Sequence, residues 1–219
     1  MGTHLQNLSV TPVELAERLS TAGEVIAHLY LAPPSGVLVS SLMDPQMLDV
    51  WPLEDPTSQA GIVLLRTGAD SLKQLQQDHL YLYIGVGPAL AQPYESPYVS
   101  EEAIVFDTAT LQVRAAYEKY GFQAPHLGTD PDDHIGLEIA FLAALAGKYA
   151  ADGKAQPSLV RDAQAFFDQH LMAFAPKVIA ASREHAQTQI YRALADLTEG
   201  FIEQYQHWLT QVSTQEPKQ

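Results

Sequence analysis

An aspartate and a histidine stand side by side in a polar segment that leads into the most apolar helical stretch of the chain. The segment is Asp130-Pro131-Asp132-Asp133-His134-Ile135-Gly136. A proline at the first helical position and carboxylates near the positive end of a helix dipole are typical of a helix start. A helix cap does not need the second carboxylate, the histidine or the glycine. Asp133 and His134 would offer a hydrogen-bond acceptor and a titratable donor to a group that docks beside them.

Other reactive residues lack the partners that their chemistry needs. His134 and Glu138 are four residues apart and could share a metal ion, but no third clustered ligand accompanies them. Asp130, Asp132 and His134 alternate as in a calcium loop, but no glutamate stands at the twelfth position. Ser96 has no neighbour that would activate it as a nucleophile. We therefore expect no enzymatic activity, no bound metal and no cofactor.

The composition excludes several classes of function. The chain has 219 residues, of which 47% are apolar, so it suits one domain or a tightly joined pair with a substantial core. It carries 12 Lys and Arg against 26 Asp and Glu, a formal net charge of -14, which favours cationic partners over nucleic acid and anionic lipid. It has no cysteine, no recognisable export signal and no apolar run long enough for a membrane span. These features are compatible with the cytoplasm.

Apolar residues at helical spacing predict an all-α fold of about eight to ten helices. One helix is expected from Pro12 to Leu31, because Thr11 and Glu14 have the spacing of a capping box. The last helix is expected to be the longest, with one continuous apolar face. The residues of that face are Ile190, Leu194, Leu197, Phe201, Tyr205 and Trp208.

Prolines and caps predict where other helices begin and end. The apolar helix after the Asp-His pair is expected to run from Asp132 to about Lys148, with Thr129 or Asp130 as its N-cap. Pro45 is expected to break a weak second helix, and Pro176 to break or kink a later one.

Residues 1–212 are expected to form one helical domain, followed by a polar, frayed tail at 213–219. Two short apolar runs, residues 62–65 and 104–106, are short enough to be extended instead of helical.

A segment rich in glycine and proline interrupts the helical pattern between Gly85 and Tyr98. It predicts a long loop, and long loops in compact domains are often functional. Tyr94 and Tyr98 argue against disorder, because such rings usually pack on a surface. Our hypothesis is that this loop and the segment around His134 form one groove.

Four short motifs follow one another along the chain. They are Leu82-Tyr83-Ile84-Gly85, Pro93-Tyr94-Glu95-Ser96-Pro97-Tyr98, Pro131-Asp132-Asp133-His134-Ile135-Gly136 and Tyr191-Arg192-Ala193-Leu194. In this order, on an acidic helical chain without cysteine, they resemble the TorD/DmsD family of cytoplasmic molybdoenzyme chaperones, including its YcdY-like branch. The resemblance covers nearly the whole chain.

The resemblance implies a cytoplasmic chaperone that binds the twin-arginine signal peptide of a molybdenum-cofactor redox enzyme. The chaperone would hold the precursor for cofactor insertion before export. The positions that match the family's peptide-binding surface are Leu82, Tyr83, Tyr94, Ser96, Pro131, Asp133 and His134. A twin-arginine signal has a cationic start and an apolar middle. Aromatic rings suit the apolar part, and carboxylates bind arginine with two parallel hydrogen bonds.

Two other interpretations stay open on the sequence alone. One is a YcdY-like chaperone for a cytoplasmic metalloenzyme that lacks a twin-arginine signal. The other is an enzyme that uses Asp133 and His134 as a base pair. In either chaperone interpretation we expect a monomer, with a domain-swapped dimer beside it, because long helices on proline and glycine hinges can exchange between copies. Family members have been linked to guanine nucleotides, but this chain has no phosphate-binding loop.

Overall fold

The computed structural model describes residues 10–100, 108–123, 131–152 and 157–214. These residues contain α-helices and one isolated β-bridge but no strand, so the predicted all-α fold is confirmed. The helices are α1 (Pro12–Leu31), α2 (Gly36–Leu42), α3 (Pro45–Asp49), α4 (Pro56–Thr67), α5 (Leu72–His79), α6 (Ser96–Val99), α7 (Thr108–Tyr120), α8 (Ile135–Asp152), α9 (Pro157–Phe166), α10 (Met172–His185) and α11 (Gln189–Thr214).

Two π-helical turns extend these helices. Leu80–Ile84 continues α5, and Phe167–Leu171 joins α9 to α10 without a break. The described residues therefore form ten separate helices, in agreement with the predicted eight to ten. None of these helices is long and apolar enough to cross a lipid bilayer.

Local capping sets the helix boundaries that the sequence predicts well. The Thr11 hydroxyl accepts the Glu14 N–H, and the Glu14 carboxylate accepts the Thr11 N–H, so the predicted capping box opens α1. Pro45 separates α2 from α3 as predicted, and the Asp44 side chain caps the new helix. Both boundaries depend on residues that are close in sequence.

The predicted start of α8 is wrong. The helix begins at Ile135, not at Asp132, and it ends at Asp152, later than predicted. The proposed caps Thr129 and Asp130 lie outside the described residues.

Hydrogen bonds to a distant loop explain the late start of α8. The Ile135 N–H donates to the Pro93 carbonyl, and the Glu95 N–H donates to the Asp133 carbonyl, each over 2.8 Å. The backbone before Ile135 is therefore paired across the two loops and does not enter the first helical turn.

Pro176 does not end its helix, because α10 continues through it to His185. The irregularity lies earlier, in the π-turn Phe167–Leu171. The apolar run at residues 62–65 lies inside α4, whereas residues 104–106 are outside the described residues. Ser213 and Thr214 continue α11, and the rest of the expected tail, residues 215–219, is not among the described residues.

Helix α1 lies against α8 and α11, and two glycines allow the close approach of α1 and α8. A Cβ atom at Gly23 would stand 2.6 Å from the Ala143 Cβ. A Cβ atom at Gly136 would stand 2.7 Å from the Leu31 Cγ and 3.0 Å from the Ala27 carbonyl oxygen. Gly136, which a helix cap does not require, is thus needed for helix packing at the end of α1.

The apolar face of α11 is the centre of the core, and Leu194 on it is fully buried. Leu194→Asp would place a charge without a partner among apolar side chains. We expect it to lower the free energy of unfolding by about 4 kcal/mol, measured by urea denaturation followed by circular dichroism. Gln206→Asp, on the exposed face of the same helix, is the control and should change it by less than about 0.5 kcal/mol. A parental midpoint for Leu194→Asp would contradict this packing.

Candidate functional site

The two loops that carry the predicted site residues meet in the structure. Tyr94 and His134 form an isolated antiparallel β-bridge, and their rings pack edge to face with centroids 5.0 Å apart. Residues that are far apart in sequence therefore become neighbours through backbone pairing and ring packing.

A pocket of about 550 Å³ lies beside this bridge, a size that is typical of ligand-binding pockets. Its walls are the end of α1 with the turn that follows, the end of α5 with its π-turn, the Tyr94 loop, and the start of α8. Four of the seven predicted residues line it, namely Tyr83, Tyr94, Pro131 and His134. We call this cavity the aromatic pocket.

The other three predicted residues are fully buried and do not line the aromatic pocket. Leu82 is part of the hydrophobic core. Ser96 begins the short helix α6, where its backbone and side chain are both buried. Asp133 is buried behind the bridge, with no exposed surface.

The Asp133 carboxylate is satisfied by groups of the protein itself. One oxygen, Oδ2, accepts the Ser96 N–H over 2.7 Å and the Ser96 hydroxyl over 2.5 Å. The other, Oδ1, accepts the Thr110 hydroxyl over 2.9 Å. The expectation that Asp133 presents its carboxylate to a docking group therefore needs correction, because burial of a carboxylate requires these donors. Asp133 ties the Tyr94 loop and α7 to the residues before α8.

His134 is held as a neutral ring. Its Nδ1 accepts the Gly136 N–H over 3.0 Å, so the ring proton is assigned to Nε2. Burial and, to a smaller extent, the nearby imidazole of His79 lower the pKa of His134 to about 3. His134 thus offers an N–H donor that does not titrate near neutral pH.

His79 lines the same pocket, although no sequence motif contains it. One ring nitrogen, Nε2, lies 3.2 Å from the Tyr30 carbonyl oxygen, and the other, Nδ1, is buried and has no hydrogen-bond partner in the described part of the chain. Burial lowers the pKa of His79 as well. Its position four residues before Tyr83, on the same face of a helix, is the only sequence signal that could have indicated it.

Aromatic rings form the floor of the pocket. Tyr83 packs against Tyr30, His79 and Tyr191, with ring centroids 5.0, 5.6 and 5.7 Å away. The Tyr83 hydroxyl is hydrogen-bonded to the Ser182 hydroxyl over 3.1 Å. These contacts fix the rings of the floor in place.

A buried group of acids lies behind the Tyr94 loop. The Glu95 carboxylate lies 3.0 Å from His170 Nδ1. Among the described residues no donor meets either oxygen of the buried Glu138 side chain, and the Glu95 carboxylate lies beside it. Burial, with the carboxylates of Glu95 and Asp133 nearby, raises the pKa of Glu138 well above its usual value, which favours its neutral form. Within the described residues no three histidine or acidic side chains are placed to hold a metal ion.

The fold and the pocket define an all-helical protein with a neutral aromatic binding pocket. The family model described as the nitrate reductase delta subunit matches residues 53–180, more than half of the chain. The chain belongs to this family.

Similar proteins include the Tat proofreading chaperone DmsD of Salmonella typhi. It is 25% identical over 189 residues, which cover 85% of this chain and 87% of that protein. The chaperone protein TorD of Vibrio cholerae serotype O1 is 27% identical over 150 residues, 68% of each chain. The resemblance to TorD and DmsD that the four motifs predicted is thereby confirmed.

The lowered pKa of His134 predicts that the free energy of unfolding depends on pH. In the unfolded chain His134 binds a proton near pH 6.5, whereas in the folded chain it does so only near pH 3. The contribution of neutral His134 to the free energy of unfolding is therefore complete above pH 6.5 and is lost as the pH falls towards 3. His134→Asn keeps an acceptor for the Gly136 N–H but cannot titrate. Relative to His134→Asn, the parent should lose about 1.4 kcal/mol of unfolding free energy for each pH unit below 6.5.

Urea denaturation of both proteins between pH 7.5 and about 4.5, a range set by the reference pKa values, measures this difference. His79 and the other histidines are present in both proteins, so their contribution cancels. A difference that does not change with pH would contradict the neutral, buried state of His134.

Proposed function

We propose that this protein is a cytoplasmic chaperone, not an enzyme, that binds the twin-arginine signal peptide of a molybdenum-cofactor redox enzyme. It would hold the precursor for cofactor insertion before export. The aromatic pocket is the observation that carries the proposal, and the similarity to DmsD and TorD chaperones supports it. We propose a monomer that also forms a domain-swapped dimer.

The pocket suits the apolar part of such a peptide. Among the described residues that line it, none is a carboxylate, a lysine or an arginine. His79 and His134 have lowered pKa values, so both rings are neutral near pH 7. Tyr83 and Tyr94 supply apolar ring surface, and the His134 N–H can orient a peptide carbonyl.

Exposed apolar side chains continue the pocket outward. Leu31 and Ile84 line the pocket and are also exposed, by 38% and 58%. Val86 and Leu90, in the loop after the π-turn, are exposed by 72% and 48%. An apolar stretch of several residues would cover this surface, which favours a peptide over a small ligand.

A second candidate is a chaperone for a cytoplasmic metalloenzyme without a twin-arginine signal. The pocket favours this alternative in one respect, because the described residues of its walls include no carboxylate for an arginine. The enzyme interpretation has less support, since the oxygens of Asp133 bind Ser96 and Thr110, and His134 Nδ1 is occupied by Gly136.

Tyr94 provides the test of the pocket. A peptide with two adjacent arginines followed by an apolar stretch should bind the parent, measured by isothermal titration calorimetry. Tyr94→Ala removes one aromatic wall and should weaken binding about tenfold, with little dependence on salt because the lost contact is apolar.

Tyr120→Ala is the matched control. Tyr120 is also partly exposed, but it lies on α7 and lines a different cavity. Parental affinity in a folded Tyr94→Ala protein would contradict the site. Absence of binding to the parent would contradict the twin-arginine client and favour the second candidate.

A further inference from the structure

A second cleft, of about 240 Å³, lies on another face of α5. Every described residue that lines it can form hydrogen bonds through its side chain, and none of these residues carries a positive charge. They are Gln74, Gln77, Asp78, Tyr81, Gln187 and Thr188. We call it the Asp78 cleft.

Asp78 lies in this cleft with one carboxylate oxygen unused. The residue is only 5% exposed. Its Oδ2 accepts the Gln187 N–H over 3.0 Å, the Thr188 N–H over 2.8 Å and the Thr188 hydroxyl over 2.7 Å. No hydrogen bond to Oδ1 occurs among the described residues. A cationic donor that reached this oxygen from the cleft would stabilise the carboxylate.

The surroundings of Asp78 favour a guanidinium over an ammonium group. A guanidinium is planar and carries five N–H donors in a fixed arrangement. The side-chain carbonyls of Gln77 and Gln187 can accept those donors that Asp78 does not, and Tyr81 offers a ring face for stacking. An ammonium has three donors and loses more hydration on entering such a cleft.

The geometry of α5 connects the Asp78 cleft to the aromatic pocket. The α5 side chains of the cleft occupy one helical face, whereas His79 and Tyr83 occupy the face that lines the pocket. Between them, Leu80 and Ile84 are exposed by 37% and 58%. A helix is about 10–12 Å wide with its side chains, a distance that three or four extended residues span.

We propose that the Asp78 cleft binds the guanidinium of an arginine at the start of the peptide whose apolar part enters the aromatic pocket. This inference rests on the proposed function. In this inference, α5 and the segment before α11 bind the charged start of the peptide. The two loops bind its apolar part. A peptide with arginines a few residues before its apolar stretch matches the spacing of the two sites.

Gln77→Lys tests the cleft without changing Asp78, whose three hydrogen bonds also hold the start of α11. Gln77 is exposed, so the protein should fold normally, and the new ammonium would repel or displace a guanidinium. Labelled peptides that start with Arg-Arg, Lys-Lys or Gln-Gln before one apolar stretch are titrated by fluorescence anisotropy. The titrations are carried out at ordinary ionic strength, which screens charges that are distant from the cleft.

We expect the parent to bind the Arg-Arg peptide about tenfold more tightly than the Gln-Gln peptide, and more tightly than the Lys-Lys peptide. Gln77→Lys should remove most of this preference and leave the Gln-Gln affinity unchanged. Gln206→Lys adds the same charge on an exposed position about 27 Å along α11 from Thr188, and should preserve the preference.

If Gln77→Lys and Gln206→Lys change the affinity for the Arg-Arg peptide equally, the proposed role of the Asp78 cleft is wrong. Equal binding of the Arg-Arg and Gln-Gln peptides by the parent would contradict it as well. If Tyr94→Ala then still weakens both peptides, the proposed function survives and only the cleft fails. If the parent binds no peptide, both proposals fail.

Discussion

The rest of the site depends on one buried carboxylate. Asp133 has no exposed surface, so the free energy of burying its charge must be offset by donors. Those donors come from Ser96 and from Thr110 on α7, and they fix the Tyr94 loop against the residues that precede α8. The Tyr94–His134 bridge and one wall of the aromatic pocket follow from this arrangement. The pocket is therefore positioned by interior hydrogen bonds although its wall belongs to a long loop.

The protein carries a formal charge of -14, yet the two histidines of its pocket and Glu138 behind it are kept neutral. Burial lowers the pKa of His79 and of His134 and raises that of Glu138, so each change favours the uncharged form. A neutral pocket accepts apolar side chains without having to strip water from a charge. The exposed carboxylates on the outer surface attract cationic segments over a longer range.

The sequence predicts those parts of the fold that depend on near neighbours. The capping box at Thr11 and the break at Pro45 are local, and both were predicted correctly. The start of α8 was not, because its backbone pairs with Pro93 and Glu95, about forty residues away. The inward direction of Asp133 has the same cause, since its donors are 37 and 23 residues distant. His79 carries no motif, and only the fold brings it beside His134.

The hydrogen bond between the hydroxyls of Tyr30 and Thr198 joins residues 168 positions apart. The floor of the pocket thus combines α1, the π-turn after α5 and, through Tyr191 behind Tyr83, the start of α11. During synthesis on a ribosome, α1 and α5 emerge long before the helix that completes them. Contacts of such long range form late and slowly. A nascent chain that still lacks α11 has no support behind Tyr83, so the floor of the pocket is completed only after α11 has been synthesised.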